Sequence, residues 1–305
     1  MGAARVGVAA TGYGGKHMLK ELTFDTGEVT LNYAEGPATG APLVMLHGFT
    51  GRWQGFLPLL PVLSLRWHVY APDYRGHGKS GRVPGKYLAD DFVSDLVAFL
   101  ERQVVEPAVV FGHSYGALFA LRLAERLPDA VRALIIGDTS LSAETAAARP
   151  TNQESWAMMR DLAGWEGPIE QLTEKLAVLP VPGQDLPVTY GELPDVHLVE
   201  LREWARSLIQ LDPDVTELHA EGWREKFIEA FEFESMLRVI SCPVLLLQGD
   251  PSHGGIMTDA DVDYARALLR EAYHVQIEKA SHGLGMDTWE VGPILRAVVS
   301  FLESL

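Results

Sequence analysis

The chain has 305 residues, of which 47% are hydrophobic and 22% charged, values typical of a globular protein. Its formal net charge of −16 excludes the class of proteins that neutralise phosphates with a basic surface, and it disfavours anionic membranes. We therefore expect no nucleic-acid partner and no membrane partner. A lone cysteine, Cys242, forms no internal disulfide, and no apolar run approaches the roughly 18 residues of a membrane span. Residues 1–17 contain no convincing signal peptide, so we expect a flexible tail there and a cytoplasmic protein.

Beyond the tail, β-rich and helical patterns alternate along the chain. Residues 18–36 predict a hairpin that bends at Asp25-Thr26-Gly27. Apolar runs predict buried strands within residues 41–49, 67–72, 107–113, 131–137, 243–249 and 273–277. Helical spacing is found over residues 87–103, 115–127, 259–272 and 291–305. This order predicts the α/β class, with a mostly parallel central sheet flanked by helices.

The region from residue 142 to residue 240 interrupts the alternation, because no convincing buried strand occurs there. Helical pieces are predicted at residues 152–164, 167–178, 195–210 and 216–233. We interpret residues 142–240 as a mainly helical cap, inserted into a core made of residues 18–141 and 241–305. The cap is rich in large apolar side chains, most of which we expect to hold it together while others line an apolar pocket: Trp156, Met158, Met159, Trp165, Trp204, Trp223, Phe227, Phe231 and Phe233.

A candidate nucleophile lies between a predicted strand and a predicted helix, in Gly112-His113-Ser114-Tyr115-Gly116. At such a corner the serine is strained and its hydroxyl projects from the edge of the sheet. Side chains two residues before and after it would collide, which explains both glycines. The alternative is an ordinary glycine turn with a capping serine. We predict that Ser114 is a nucleophile.

A serine hydroxyl needs a base, and the base needs a carboxylate that fixes its tautomer. His282 follows the last predicted strand and is the candidate base. Asp250 directly follows the strand ending at Gly249, and we predict that it orients His282. Asp138 ends another strand and remains the alternative acid.

Acyl transfer also needs donors for the developing oxyanion. The residue after the nucleophile, Tyr115, supplies one backbone N–H at a helix start. We predict that the second donor is the N–H of Phe49, in the turn that follows the third strand. His47 is interpreted as a residue that ties down this turn.

Two further polar regions are interpreted as structural. In residues 72–80, Asp73, Arg75, Gly76 and Gly78 are expected to shape a tight loop, with Arg75 held in local hydrogen bonds. His77 and His253 are weak candidates for the site entrance. The ten histidines have no metal-ligand spacing, so we predict no metal.

Five short motifs together resemble the α/β-hydrolase fold superfamily: HGF at 47–49, PDYRGHGKS at 72–80, GHSYG at 112–116, GD at 249–250 and SHG at 281–283. The resemblance covers nearly all of the chain beyond about residue 18. It implies a Ser-His-Asp triad, an oxyanion hole at Phe49 and Tyr115, a cap between the sixth and seventh core strands, and no cofactor. Many relatives carry the acid three residues after the glycine, where this chain has Ser252.

The predicted triad implies an acyl-serine intermediate followed by attack of water. We expect a small-molecule ester substrate, and specifically a carboxylesterase-like serine hydrolase of small to medium hydrophobic esters. A lactonase, a thioesterase or a C–C bond hydrolase on the same scaffold remains open, as does a cofactor-free haloperoxidase-like activity. A non-catalytic ligand receptor is the alternative of a different class, because such receptors can retain the triad.

Overall fold

The computed structural model describes residues 19–148, 153–180, 188–192, 198–218 and 230–305. Eight strands form one sheet in the order β1-β2-β4-β3-β5-β6-β7-β8. The strands are β1 Lys20–Asp25, β2 Thr30–Glu35, β3 Pro42–Leu46, β4 His68–Pro72, β5 Ala108–His113, β6 Val131–Gly137, β7 Val244–Gly249 and β8 Ala272–Ile277.

The first two strands form the predicted hairpin. Lys20 lies opposite Glu35 and Asp25 lies opposite Thr30, and Gly27 in the turn has a φ of 98°, which glycine adopts without steric cost. Strand β2 is also antiparallel to β4, whereas β4, β3, β5, β6, β7 and β8 run parallel. The mostly parallel sheet predicted from the sequence is therefore confirmed.

Eleven α-helices lie within the described ranges. They are α1 Leu60–Leu63, α2 Ala89–Phe99, α3 Tyr115–Arg126, α4 Ala143–Ala148, α5 Gln153–Leu162, α6 Ile169–Ala177, α7 Leu198–Ile209, α8 Pro213–Leu218, α9 Phe233–Val239, α10 Asp259–Leu268 and α11 Gly292–Ser304. A π-helical turn over Leu100–Val104 follows α2. The sequence missed α1, α4 and α9, which are too short to show helical periodicity, and it predicted only the last three residues of α8.

Both faces of the sheet are buried. Val44, Leu46, Val110, Leu134 and Ile136 point to the face covered by α2 and α3. Their neighbours Leu43, Met45, Val109, Phe111 and Ile135 point to the opposite face, which packs against α1 and α11. Each of these side chains is at most 2% exposed, and burying one contributes about 1.5–3 kcal/mol. This packing fixes the strand ends on which the site is built.

Helices α4 to α9 belong to the segment between β6 and β7. Their apolar faces are buried, for example through Leu172 and Leu176 of α6 and Leu208 of α7. Two of the aromatic side chains predicted to hold this region together are buried side by side, since the rings of Phe231 and Phe233 lie 6.1 Å apart.

Some predictions for this part of the chain lie outside the described residues. They concern the tail at residues 1–17, the greater part of the helix predicted at residues 216–233 with Trp223 and Phe227, and the side chain of Trp156. The boundaries of a separate cap remain a prediction.

The helices and the single cysteine can be compared with the expectations from composition. Among the helices within the described ranges, none is long and apolar enough to cross a membrane. Cys242 is half-buried, and burial raises the pKa of its thiol to about 11, so the thiol stays protonated at neutral pH.

Candidate active site

Ser114 lies at a sharp turn between β5 and α3. Its φ of 56° and ψ of −119° are rare for a residue with a side chain and cost roughly 1–3 kcal/mol. The surrounding backbone holds this conformation: the Ser114 N–H donates to the carbonyl of Gly137 at 2.8 Å, and the Ser114 carbonyl accepts from the N–H of Ala117 at 3.0 Å. The predicted elbow is present.

The glycines that flank Ser114 are both sterically required. A Cβ on Gly112 would lie 2.1 Å from the carbonyl oxygen of Gly116, and a Cβ on Gly116 would lie 2.1 Å from the carbonyl oxygen of Leu46. The first collision is with the start of α3 and the second is with β3. The close approach of these three elements therefore explains the glycine spacing.

Ser114 opens into a cavity of about 940 Å³ at the carboxyl ends of the parallel strands. This volume lies near the upper end of the range for small-molecule sites. The wall is largely apolar and aromatic, with contributions from both the strand ends and the β6–β7 segment, among them Phe49, Phe56, Tyr115, Met159, Tyr190 and Met286. His282 also lines the cavity.

His282 is paired with Asp138, which corrects the predicted pairing with Asp250. The Nδ1 atom of His282 lies 2.7 Å from Oδ2 of Asp138. Because a carboxylate oxygen accepts, Nδ1 carries the proton and Nε2 is left to act as a base. The alternative acid at the end of β6 is thus the one that contacts the imidazole.

Asp138 is completely buried and held by backbone donors. Its carboxylate accepts the N–H groups of Gly249 at 2.9 Å, Ile256 at 2.7 Å and Met257 at 3.1 Å. Burial raises the pKa of Asp138, but the hydrogen bond from His282 and these backbone donors outweigh burial and hold the pKa below its ordinary value. The carboxyl is therefore ionised at neutral pH.

Asp250 forms a separate, local arrangement. Its carboxylate accepts the hydroxyl of Ser252 at 2.6 Å and the N–H of Lys279 at 3.1 Å, and it lies 3.0 Å from Nδ1 of His253. These two hydrogen bonds lower its pKa to about 2. Asp250 caps the turn after β7, and Ser252, which stands where many relatives carry the acid, donates to it.

Ser114 and His282 line the same cavity, but among the described residues no hydrogen bond joins their side chains. In unliganded sites such a bond is often long and tightens only when substrate is present. The imidazole already has its orienting partner and its tautomer.

The turn after β3 lies against the elbow. A Cβ on Gly48 would be 3.3 Å from Cβ of Ser114, and the rings of Phe49 and Tyr115 lie 5.0 Å apart. Phe49, Tyr115 and Ser114 all line the cavity. The two residues predicted to donate to an oxyanion thus approach Ser114 from two different elements.

Side chains of the loop at residues 73–80 hold this turn in place. Asp73 accepts the N–H of Trp53 at 2.7 Å, and the Tyr74 hydroxyl donates to the carbonyl of His47 at 2.9 Å. Nε2 of His77 lies 2.5 Å from the carbonyl oxygen of Phe49, and Nδ1 lies 2.9 Å from that of Arg75. The loop at residues 73–80 therefore contacts the turn after β3 directly, which is more specific than the tight local loop that was predicted.

His47, His77 and His253 differ in burial and in whether they line the cavity. His47 is buried, Nδ1 contacts the carbonyl of Gly48 at 2.8 Å, and Nε2 accepts the N–H of Tyr74 at 3.3 Å, so it ties the turn as predicted. His77 is only 1% exposed and is not among the lining residues that the structure describes, which corrects the entrance role. His253 pairs with Asp250 and is likewise absent from that lining.

Arg75 confirms the predicted local network. Its guanidinium donates through Nε and Nη2 to both carboxylate oxygens of Asp95, at 2.6 and 2.8 Å. Nη2 also donates to Glu28 at 2.8 Å. Such a two-pronged pair rigidifies the loop that carries Tyr74 and His77.

A polar network occupies one side of the cavity. Arg52, which follows the turn after β3, donates to Glu203 of α7 at 2.7 Å and to the hydroxyl of Ser207 at 3.2 Å. Arg206 also pairs with Glu203. This network links the turn after β3 to the β6–β7 segment, and no sequence pattern indicated it, because Arg52 lies about 150 positions before its partners.

Across the described part of the chain, no three His, Cys, Asp or Glu side chains gather closely enough to hold a metal ion. The groups at the cavity match those needed for nucleophilic catalysis. They comprise a strained serine, a histidine with a fixed tautomer, and an ionised carboxylate behind it.

Comparison with known proteins agrees with this architecture. Residues 41–174 match the family model for the alpha/beta hydrolase fold. The chain is 34% identical over 123 residues to a 2-(acetamidomethylene)succinate hydrolase of Mesorhizobium japonicum, covering 40% of this chain and 44% of that protein. It is 34% identical over 169 residues to Lipase LipV of Mycobacterium tuberculosis, covering 54% of this chain and 60% of that one. The alignments thus span about half the length of these curated relatives.

Solved structures extend the similarity over the whole fold. The structure of an E-2-(acetamidomethylene)succinate hydrolase superposes with a TM-score of 0.73 at 23% identity, covering 94% of this chain and all of that one. The enol-lactonase of Burkholderia xenovorans LB400 gives a TM-score of 0.66 at 21% identity, covering 90% of this chain and 97% of that one. The relatives named here are hydrolases. Residues 41–174 therefore match the α/β-hydrolase family, and the chain as a whole has the α/β-hydrolase fold.

Proposed function

We propose that the protein is a carboxylesterase-like serine hydrolase that cleaves small to medium hydrophobic esters through an acyl-serine intermediate. The observation that carries this proposal is the strained Ser114 at a cavity that also holds the His282–Asp138 pair. In this reading Ser114 is the nucleophile, His282 the base and Asp138 the acid.

The first step is attack of Ser114 Oγ on the ester carbonyl carbon. His282 Nε2 takes the hydroxyl proton, while Nδ1–H stays hydrogen-bonded to the Asp138 carboxylate. The negative charge of Asp138 stabilises the imidazolium that forms. Because three backbone N–H groups already hold this carboxylate, it needs no rearrangement during the step.

The carbonyl oxygen becomes an oxyanion in the tetrahedral intermediate. The proposed donors are the backbone N–H groups of Phe49 and Tyr115, and Tyr115 begins α3, where the helix dipole favours negative charge. Collapse of the intermediate breaks the carbon–oxygen bond of the ester. The leaving alcohol takes its proton from His282 and leaves the acyl group on Ser114.

Water then completes the cycle. His282 accepts a proton from the water as its oxygen attacks the acyl-serine carbonyl, and it returns the proton to Ser114 Oγ as the acid leaves. The products are a carboxylic acid and an alcohol, and no cofactor takes part.

The wall chemistry supports a neutral, apolar substrate. Aromatic and aliphatic side chains form most of the lining near Ser114. Among the charged side chains described in the wall, the carboxylates of Glu200, Glu203 and Asp287 outnumber the guanidinium groups of Arg52 and Arg206. A substrate with several carboxylates would meet net repulsion there.

A second candidate rests on the similarity to 2-(acetamidomethylene)succinate hydrolase. In this second candidate function, the protein hydrolyses acylated enamine acids with the same serine and histidine. Arg52 and Arg206 would then have to exchange Glu203 for a substrate carboxylate. The cavity charge favours the ester, and the sequence similarity favours the acylated acid.

A substrate panel tests both candidates. It contains neutral acyl esters of increasing length, lactones, thioesters and an acetamidomethylene dicarboxylate, each assayed with the wild type, Ser114→Ala and Ser252→Ala. We expect turnover of neutral esters, loss of turnover in Ser114→Ala, and no change in Ser252→Ala, because Ser252 contacts Asp250 rather than the cavity. Turnover of the dicarboxylate alone would support the second candidate.

Full activity in Ser114→Ala would refute a serine mechanism. Release of a single equivalent of alcohol with no further cycles would instead indicate a ligand receptor.

A further inference from the structure

His113 is part of the elbow, but the proposed mechanism does not use it. It is the last residue of β5 and directly precedes Ser114. Its Nε2 atom lies 2.7 Å from the carbonyl oxygen of His282, and the two imidazole rings lie 4.8 Å apart with an angle of 35° between them. The neighbour of the nucleophile therefore touches the backbone and the ring of the base.

The partner of Nε2 fixes the form of the imidazole. A carbonyl oxygen can only accept, so Nε2 must carry a proton. Burial, with the neighbouring His282, lowers the pKa of His113 to about 4, so the ring is neutral at pH 7 and Nδ1 carries no proton. His113 is thus an Nε2–H donor that brings no charge to the pair.

His282 needs such a support because its own loop is irregular. It lies between β8 and α11, outside any helix or strand. Asp138 holds the His282 side chain, which is still 34% exposed. The main chain of His282 accepts a hydrogen bond from His113, the residue next to the nucleophile.

We propose that His113 is a positioning residue that sets the distance between Ser114 and His282 by donating a hydrogen bond to the His282 carbonyl. Asp138 fixes the rotation and tautomer of the imidazole, whereas His113 fixes the main chain that carries it. This inference rests on the proposed serine-hydrolase function. A shift of the base by about 1 Å can cost 10²-fold in rate, so one backbone hydrogen bond can matter.

Three substitutions separate the donor from the ring. A glutamine amide nitrogen is as many bonds from Cβ as Nε2 of histidine, so His113→Gln keeps a donor at the right reach. An asparagine amide nitrogen occupies the place of Nδ1, so His113→Asn has a donor that points elsewhere. His113→Phe keeps a ring of similar shape and has no donor.

The readouts are kcat and KM for the best ester of the panel, and the rate at which a fluorophosphonate labels Ser114. We expect kcat and the labelling rate to fall by roughly 10- to 100-fold in His113→Asn and His113→Phe, with KM changed little. His113→Gln should recover most of this loss. Melting temperatures of the three variants show whether folding is intact.

Equal losses in all three variants, or losses that follow the melting temperature, would overturn the positioning role. So would full activity in His113→Phe. Failure of the wild type to label at Ser114 would instead refute the proposed function, so the two failures are distinguishable.

A measurement on the wild type keeps the inference testable if the variants do not fold. Nitrogen-15 NMR of histidine-labelled protein at pH 7 should show His113 as a neutral ring protonated at Nε2. A ring protonated at Nδ1, or an imidazolium, would contradict the hydrogen bond on which the inference depends.

Discussion

Strands β6 and β7 each end in a glycine that is followed by an aspartate, and the two aspartates behave differently. Strand β6 ends at Gly137, before Asp138, and β7 ends at Gly249, before Asp250. Asp138 has a φ of 33°, is completely buried and contacts His282, whereas Asp250 has a φ of −77° and is held by its own turn. The identical dipeptide therefore supplies a candidate catalytic acid at one strand and a turn cap at its neighbour.

The difference arises from what surrounds each carboxylate. The chain after β7 folds over Asp138, so that Gly249, Ile256 and Met257 donate their N–H groups to it. Asp250 meets donors from its own turn and from Lys279. The end of β7 thus serves the site by supplying donors to the acid rather than the acid itself.

Neutralising each aspartate gives the largest expected effect. Asp138→Asn should lower kcat by about 10⁴-fold, because an amide donor opposite Nδ1 favours the wrong tautomer of His282. Asp250→Asn should stay within about threefold of the wild type, and it is the matched control. The measurement is steady-state kinetics with a neutral ester. The reverse ranking would show that Asp250 is the acid and that the observed pairing is not the catalytic one.

Two adjacent glycines test whether the loop after β7 supports Asp138. A Cβ on Gly255 would lie 2.6 Å from the carbonyl carbon of Gly249, whereas a Cβ on Gly254 would meet no atom within 4 Å. Gly255→Ala should displace Ile256 N–H from Asp138, lowering kcat roughly tenfold and destabilising the fold by about 1–3 kcal/mol.

Gly254→Ala is the control for this loop. Gly254 has a φ of 91°, so the variant should lose about 1 kcal/mol of stability through backbone strain while kcat is retained. Denaturant unfolding and kinetics check both variants. Equal loss of activity in the two would mean that the loop does not position the acid.

Much of the fold could be predicted because its signals are local. Continuous apolar runs predicted the buried strands, and the helical period of apolar residues predicted α2, α3, α10 and α11. The elbow was also visible, since its glycine spacing reflects a clash within a few residues and with β3. Short helices such as α4 and α9 were missed, because six or seven residues do not show a period.

The choice of acid could not be made from the sequence. Both candidates directly follow a glycine at a strand end, and the usual G-x-x-D spacing is absent from this chain. Only the path of the loop at residues 249–257 decides which carboxylate receives backbone donors and meets His282. The contacts of His113 and His77 were missed for the same reason, because their partners, His282 and Phe49, are distant in sequence.

The stability of the fold at acid pH also depends on the two aspartates, Asp138 and Asp250. The folded-state pKa of each carboxyl is below the ordinary 3.8, so each contributes stability above about pH 3.8 that is lost as the pH falls through the folded value. For Asp250 that value is about 2. The melting temperature of Asp250→Asn should therefore lie below that of the wild type at pH 7, and the gap should close between pH 3.8 and pH 2. A gap that widens on acidification would contradict the lowered pKa.

Ser252→Ala should give the smallest effect. It removes the hydroxyl that donates to Asp250 at 2.6 Å, so the pKa of Asp250 should rise from about 2 toward its ordinary value. Carbon-13 NMR titration of the Asp250 carboxyl checks the shift. Catalysis should not change, and a loss of kcat would show that the turn after β7 is coupled to the site more tightly than its contacts indicate.

The central claim is that the Ser114 hydroxyl is the nucleophile activated by His282. The most direct measurement treats the protein with a fluorophosphonate and locates the adduct by peptide mass spectrometry. We expect one adduct, on Ser114, which is absent from Ser114→Ala. An adduct on a different residue, or ester turnover that survives in unlabelled Ser114→Ala, would contradict it.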